Sequence, residues 1–319
     1  MLPTTYTLHS RILSLLASIS ERLGEVRAAH LHHPSPLLTR AYRVSALHAT
    51  LSLEGNALDT RHIADLLDGQ ALPSHDAATV EVMNTQRLHQ LLPSLDPFMA
   101  NDFRRAHAEL MHGLAMDAGS YRTGPVEVVY DDHFAPRTAS AENLASQMEQ
   151  LLYFVDTDEA PLLITTCVLH YGILHLRPFS AGNGRMARLW QKRVLMHHWP
   201  VFAFLPVEAF ILRSEATYQA AIAYADNQED CGGFITYMME QLDQALAELL
   251  AGQRPLLSST ERVTLFLTEK DRSRFSRKDY RLSFPELSTA TASRDLAEAV
   301  KGGRIGMSGS GRTAWYRTG

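Results

Sequence analysis

The stretch of residues 170–188, HYGILHLRPFSAGNGRMAR, limits the fold more than any other part of the chain. An apolar run from Leu162 to Leu176 reads as a helix. Pro178 must end it, because proline lacks an N–H and biases the preceding Arg177 out of the α region. Gly182, Asn183 and Gly184 then tolerate unusual backbone angles, and a second helical run starts near Arg185. Two helices joined at a tight corner is what this order of residues specifies. Elsewhere, apolar residues recur at spacings of three and four in 12–26, 80–92, 103–114, 141–154, 186–197, 214–225 and 233–251, so the body of the chain is expected to be mainly α. Residues 126–130, between Gly124-Pro125 and a polar loop, read as one arm of a short hairpin. Gly, Pro and Ser cluster in 252–259 and mark a break.

At 319 residues the chain is long enough for two or three units. Its first twenty residues are amphipathic, with His9 and Arg11 early and no small-residue cleavage site, so no signal peptide is expected. No window of about 18 uncharged apolar residues predicts a membrane span. Cys167 and Cys231 belong to no CxxC pair, which argues against a thiolate zinc site and fits a reducing cytoplasm. The formal charge of −5 hides an asymmetry: residues 254–319 hold 13 Lys and Arg against 7 Asp and Glu, a net of +6, and the remainder carries −11. A basic tail on an acidic body suits nucleic acid at the C-terminus, or simply solvated charge.

A Gly-rich turn opening a helix offers unpaired N–H groups and a positive dipole end to an anion. Arg185 and Arg188, three residues apart, are expected to share a face and reach one polyphosphate. On physics alone the stretch also suits a plain helix–loop–helix with two solvated arginines. The string Pro178-Phe179-x-x-Gly182-Asn183-Gly184-Arg185-x-x-Arg188 resembles the signature of the Fic family, HPFx[D/E]GNGRxxR. The flanks are similar as well: Gly119-Ser-Tyr-Arg122 with Val126 to Val128 resembles the family's β-hairpin flap, Glu81 to Asn84 and His107 to Met111 its preceding helices, and Leu205 to Glu208, Ile211, Arg213 and Tyr218 its following ones. The resemblance implies transfer of AMP or a related group from a nucleotide such as ATP to a target protein's hydroxyl. It implies that Gly182, Asn183, Gly184 and Arg185 bind phosphates and that Arg188 takes the γ-phosphate. Thr50 to Asn56 resembles the family's inhibitory helix, which implies that Glu54 pairs with Arg188.

Two departures bear on chemistry. Arg177 stands where the family's general base is a histidine, and Ala181 where its Mg²⁺-holding acid belongs. Arginine has no lone pair to offer, a general base must accept a proton near neutral pH, and alanine cannot ligate Mg²⁺. His175 is rotated away from Arg177 and His170 lies about 10 Å down the axis, so neither is expected to substitute. Asp131, Asp132 and His133 beside the flap are candidates for a metal or a proton, though loop solvation accounts for them more simply. Arg177 as a cation suits a phosphate and partly replaces the missing metal charge.

Residues 259–319 read as helix, helix, turn at Pro285, helix capped by Ser288 and ended by Gly302-Gly303, then a hairpin of residues 304–307 and 312–317 around a Ser-Gly tip. This order, with Ser288 to Leu296, resembles the winged-helix tails of Fic proteins. It implies that Thr291, Ser293 and Arg294 face a DNA groove while Arg304, Arg312 and Arg317 touch phosphates. A winged helix used for protein contacts fits the same order. The His30, His32, His33 patch, the His107–His112 pair, one residue too long for HExxH, and His197-His198 lack ligand spacing. The expected fold is a mainly α Fic-type helical core with a small β-hairpin flap plus a C-terminal winged helix-turn-helix, divided as 1–100, 101–252 and 259–319. Three function classes stay open: a catalytically degenerate nucleotide binder with a DNA-binding tail, an adenylyltransferase with an atypical base, and a regulator or scaffold without nucleotide chemistry. The resemblance also implies a homodimer.

Overall fold

The computed structural model describes residues 4–31, 34–71, 74–129, 136–253, 259–268, 274–284, 287–309 and 314–318. The protein is mainly α and divides into two compact units, Met1–Gly252 and Gln253–Gly319, so residues 1–100 and 101–252 share one unit. In chain order the first unit contains α1 (Ser10–Ala28), α2 (Pro36–Ser52), α3 (Thr60–Leu67), α4 (Ala77–Leu91), α5 (Ala100–Leu110), β1 (Val126–Val128), β2 (Arg137–Ala139), α6 (Leu144–Thr157), α7 (Leu162–Leu176), α8 (Asn183–His198), α9 (Val207–Arg213), α10 (Glu215–Gln228) and α11 (Gly232–Gln253). None of the helices described is long and apolar enough to cross a membrane.

At the centre lies α7, with every residue except Leu162 and His175 buried, as expected of a helix apolar all round. It packs along α8 and against α6. The stripe Ile12, Leu15, Ile19, Leu23 and Val26 buries α1 in the same core, which is why the N-terminal helix shares the first unit. Periodicity does not mark α2, because it buries Ala46, Ala49 and Thr50 beside Val44 and Leu47 and has no clean apolar stripe. Its start is signalled instead by Ser35, whose hydroxyl accepts from the Leu38 amide, and by Pro36 at the first helical position. Helix α5 stops at Leu110 rather than running to 114, with Gly113 in left-handed backbone just beyond. Helix α6 starts at Leu144 rather than 141, after left-handed Asn143. Strands β1 and β2 form the antiparallel hairpin, Val126 opposite Ala139 and Val128 opposite Arg137. Tyr130, Asp131, Asp132 and His133 lie outside the described residues, as do His32 and His33.

The second unit runs α12 (Ser259–Thr268), β3 (Phe275–Ser276), α13 (Arg277–Ser283), α14 (Thr289–Lys301), β4 (Ile305–Ser308) and β5 (Trp315–Thr318). Both helix starts follow their sequence signals. Ser276 and Asp279 form a reciprocal capping box, and the Ser288 hydroxyl accepts from the Thr291 amide. The strands make one antiparallel sheet in the order β3-β5-β4. The core comprises Val263, Phe266, Phe275, Tyr280, Phe284, Leu296, Ile305 and Tyr316 among others. Asp295 is buried within it and accepts two 2.7 Å hydrogen bonds from Arg262 and one of 3.1 Å from the Tyr280 hydroxyl. Removing one partner of a buried pair strands the other charge. The variant Asp295→Ala is therefore expected to cost the second unit about 3 kcal/mol. Hydrogen exchange should show protection falling in α12 to α14 and unchanged in α7 and α8.

Candidate functional site

The corner between α7 and α8 is built by three side chains. Arg177 caps α7 in left-handed backbone, φ 45°, a strain of about 1–2 kcal/mol for a residue with a Cβ. The Arg122 guanidinium holds it: Nε donates to the Arg177 carbonyl at 2.6 Å, and Nη2 to the carbonyls of Leu176 at 3.0 Å and Ser140 at 2.8 Å. The Arg122 amide donates to the Pro178 carbonyl. Asn183 closes the loop on Phe179, its Oδ1 accepting from the Phe179 amide at 3.0 Å and its Nδ2 donating to the Phe179 carbonyl at 2.8 Å. His107 lies flat on the Phe179 ring, centroids 3.5 Å apart. Its Nδ1 accepts from the Gly119 amide at 2.9 Å, so its Nε2 carries the proton donated to the Ala181 carbonyl at 3.0 Å. Burial pushes the pKa of His107 down to about 4, so the ring is neutral.

Beside this corner opens a cavity of about 390 Å³ whose wall includes Glu54, Arg177, Asn183, Gly184, Arg188 and Tyr218. That size lies in the range of small-molecule sites. The Arg188 side chain is 2% exposed. Its Nε donates to Thr50 Oγ1 at 2.9 Å, and its Nη2 to the Thr50 carbonyl at 3.0 Å and to Glu54 Oε1 at 2.7 Å. Burial is the largest influence and works against its charge, but Glu54 and Tyr218 together offset it and hold the guanidinium's pKa above its usual value. Gly184 permits this approach, since a Cβ there would run into the Glu54 carboxylate. Behind Arg188 a polar chain runs inward. The Tyr218 hydroxyl bonds Arg188 and lies 2.8 Å from His170 Nε2, while His170 Nδ1 lies 2.7 Å from Gln191 Oε1. Gln191 Oε1 can only accept, so His170 carries its proton on Nδ1 and Tyr218 donates to Nε2.

The wall thus brings together Glu54, Arg177, Asn183, Gly184 and Arg188. It does not bring in Arg185, whose Nη2 lies 3.1 Å from Glu81 Oε1 and 3.5 Å from Met111 Sδ. The shared-face expectation fails because a carboxylate on α4 draws this guanidinium away from its neighbour. Gly182 serves as the N-cap of α8 in left-handed backbone. His175 faces Asp226 through Nδ1, and Arg137 on β2 pairs with the other Asp226 oxygen at 2.9 Å. That cluster braces the hairpin against α7 and α10 and is no part of the wall. In the second unit, the Thr291 and Ser288 hydroxyls are 2.9 Å apart, Ser293 is bound by Arg277, Arg294 and Arg317 are exposed, and exposed Arg304 reaches the Thr260 carbonyl at 3.4 Å. Arg312 lies outside the described residues. Sequence reasoning missed the Glu81–Arg185 pair and the orienting role of His107, which no local spacing signals.

The described residues do not fit a divalent cation beside this wall. Ala181 supplies only a carbonyl, and that carbonyl is taken by His107. Glu54 is paired, and no group of three His, Cys, Asp or Glu among the described residues is arranged to hold a metal. They do fit an anion. Arg177 Nε is buried with no hydrogen-bond partner, the kind of orphaned donor a ligand oxygen satisfies.

Buried neutral histidines, His89, His107 and His170, set an acid response. His107 titrates near 4 and His170 near 3, each lowered chiefly by burial from an ordinary 6.5. Below 6.5 the unfolded chain binds protons that the folded state refuses, so stability is full above that pH and falls as pH drops toward 4. Each ring is expected to cost on the order of 3 kcal/mol across that window. Denaturant midpoints measured from pH 7 to pH 4 check this, and a flat profile contradicts it.

Parts of this chain are similar to known proteins. The Fic/DOC family model matches residues 97–195. The protein adenylyltransferase fic-1 of Caenorhabditis elegans is 25% identical over 244 residues, 70% of this chain and 45% of the relative. The protein adenylyltransferase Fic of Nematostella vectensis is 24% identical over 208 residues, 61% of this chain and 47% of the relative. The chain therefore spans about half the length of these curated relatives. Among solved structures, a Fic family protein from Desulfovibrio desulfuricans G20 superposes with a TM-score of 0.74 at 26% identity, covering 99% of this chain and 98% of that one. Caenorhabditis elegans Fic-1 superposes at 0.62 and 19% identity over 76% of this chain and 73% of that one, a likeness of fold. The α7–α8 corner lies inside the residues that match the Fic/DOC family model.

Proposed function

We propose that this chain binds a nucleotide polyphosphate, ATP foremost, on an adenylyltransferase scaffold whose transfer chemistry is disabled, and that its second unit binds DNA. The observation that carries the reading is a cavity with two guanidiniums in its wall, Arg188 and Arg177, the second with a buried unpartnered Nε. Both suit phosphate oxygens, as do the free amides at the start of α8. Transfer needs a base, and the base position holds a group that never gives up its proton. Among the described residues no histidine joins the wall, and His107 and His170 are spent on hydrogen bonds. Glu54 competes with phosphate for Arg188, so the resting site is self-occluded.

The second unit is read as a winged helix, with α14 toward a groove and the β4–β5 hairpin as the wing. Its exposed Arg294, Arg304 and Arg317 support the reading, and a protein meeting both ATP and DNA belongs in the cytoplasm.

Incubation with ATP labelled on the α-phosphate tests the first part. Wild type and Glu54→Gly should stay unlabelled, while Glu54→Gly combined with Arg177→His and Ala181→Asp should label itself. Label on the single variant overturns the disabled-site reading. For the second part, Arg294→Ala and Arg304→Ala should each weaken duplex binding alike across sequences and lower the salt slope by about 1. Unchanged slopes would contradict it.

A further inference from the structure

A second, smaller cavity of about 100 Å³ lies between α2, α4 and α8, with Arg43, Gln86, His89, Gln90 and Lys192 in its wall. Its volume is the share of roughly three water molecules, too little for a nucleoside but enough for a small ion. Gln86, His89 and Gln90 stand at i, i+3 and i+4 on α4 and so present one face. Across from them α2 contributes Thr39 and Arg43, spaced by four, and α8 contributes Lys192.

The charges in this wall are of one sign. Lys192 is buried, and its ammonium lies 3.1 and 3.3 Å from the two Glu208 oxygens and 3.2 Å from the Leu205 carbonyl. Exposed Arg43 meets no carboxylate among the described residues, and none of the described carboxylates lines the cavity. The His89 Nε2 is shut off from solvent and has no hydrogen-bond partner. Burial, then the charges of Lys192 and Arg43, push the His89 pKa down to about 3, so the ring is neutral. A free guanidinium and two amides with no internal hydrogen bond line this small space, and an orphaned ring nitrogen lies beside it; the donors there outnumber the acceptors, which are the two amide oxygens.

We infer that this cavity is a binding site for a small tetrahedral oxyanion, phosphate or sulfate, separate from the polyphosphate cavity and independent of the function proposed for it. Arg43 supplies a forked pair of N–H groups, His89 an Nε2–H, and Gln86 and Gln90 their amides. The ion joins α2 to α4, and α2 is the helix whose far end carries Thr50 to Arg188.

Inorganic phosphate titrated into the full ¹⁵N-histidine-labelled chain at pH 7 tests this, read at the His89 Nε2 resonance, which is assigned by its loss in His89→Phe. A saturable shift is expected in wild type and in Arg177→Ala, with affinity at least tenfold lower in Arg43→Gln. Arg43 is exposed, so that variant should keep the fold. Glycerol 3-phosphate shifting the same resonance would assign a phosphate ester as well as the free ion, and a response to inorganic phosphate alone would assign the free ion. No shift up to 10 mM phosphate, or a shift that Arg43→Gln leaves unaltered, overturns the inference.

Discussion

A guanidinium sealed inside a protein must be answered by charge and hydrogen bonds, and Arg188 is the group around which this domain closes. Thr50 offers a hydroxyl and a carbonyl, Glu54 a carboxylate, and Tyr218 a hydroxyl. Those partners come from the end of α2 with the turn after it and from α10, so one side chain on α8 gathers two separate parts of the chain. The polar chain continues through His170 and Gln191 to Cys167 in α7. Gly184 leaves the room that the Glu54 contact needs. The cavity wall is therefore a consequence of satisfying one buried charge.

Arg177 answers a different constraint. A helix ending before proline needs a residue outside ordinary α backbone, and Arg177 takes the left-handed cap that glycine more often fills. Three donors of Arg122 spent on carbonyls of the corner hold that strained turn. The outcome is a cation in the wall of the cavity. A metal-dependent site balances phosphate charge with a divalent ion. Here two guanidiniums line the cavity, and Arg188 is already paired with Glu54.

Much of this was legible before any coordinates. Pro178 and the Gly-Asn-Gly turn located the corner, because both act on the backbone of their own neighbourhood. Ser288 located the start of α14 for the same reason. The Glu54–Arg188 pair joins residues 134 positions apart, and only the likeness to a known motif pointed to it. Nothing local could tell that Glu81 would take Arg185 from its neighbour, or that Arg122 would reach four carbonyls. Helix α2 escaped the periodicity test because it is buried on several sides, and two-residue β3 is too short to leave a pattern. Local physics speaks through spacing and caps, whereas a partner brought in by the fold leaves no trace in the residues beside it.

The central claim is that Arg177 holds phosphate where a catalytic base would otherwise stand. Calorimetric titration of ATP in excess EDTA, into Glu54→Gly protein with and without Arg177→Ala, tests it most directly. A charge-assisted contact of about 1.5–3 kcal/mol predicts binding without metal that weakens roughly ten- to hundredfold when Arg177 is removed. Equal affinity in the two proteins, or binding only when Mg²⁺ is restored, would contradict the account.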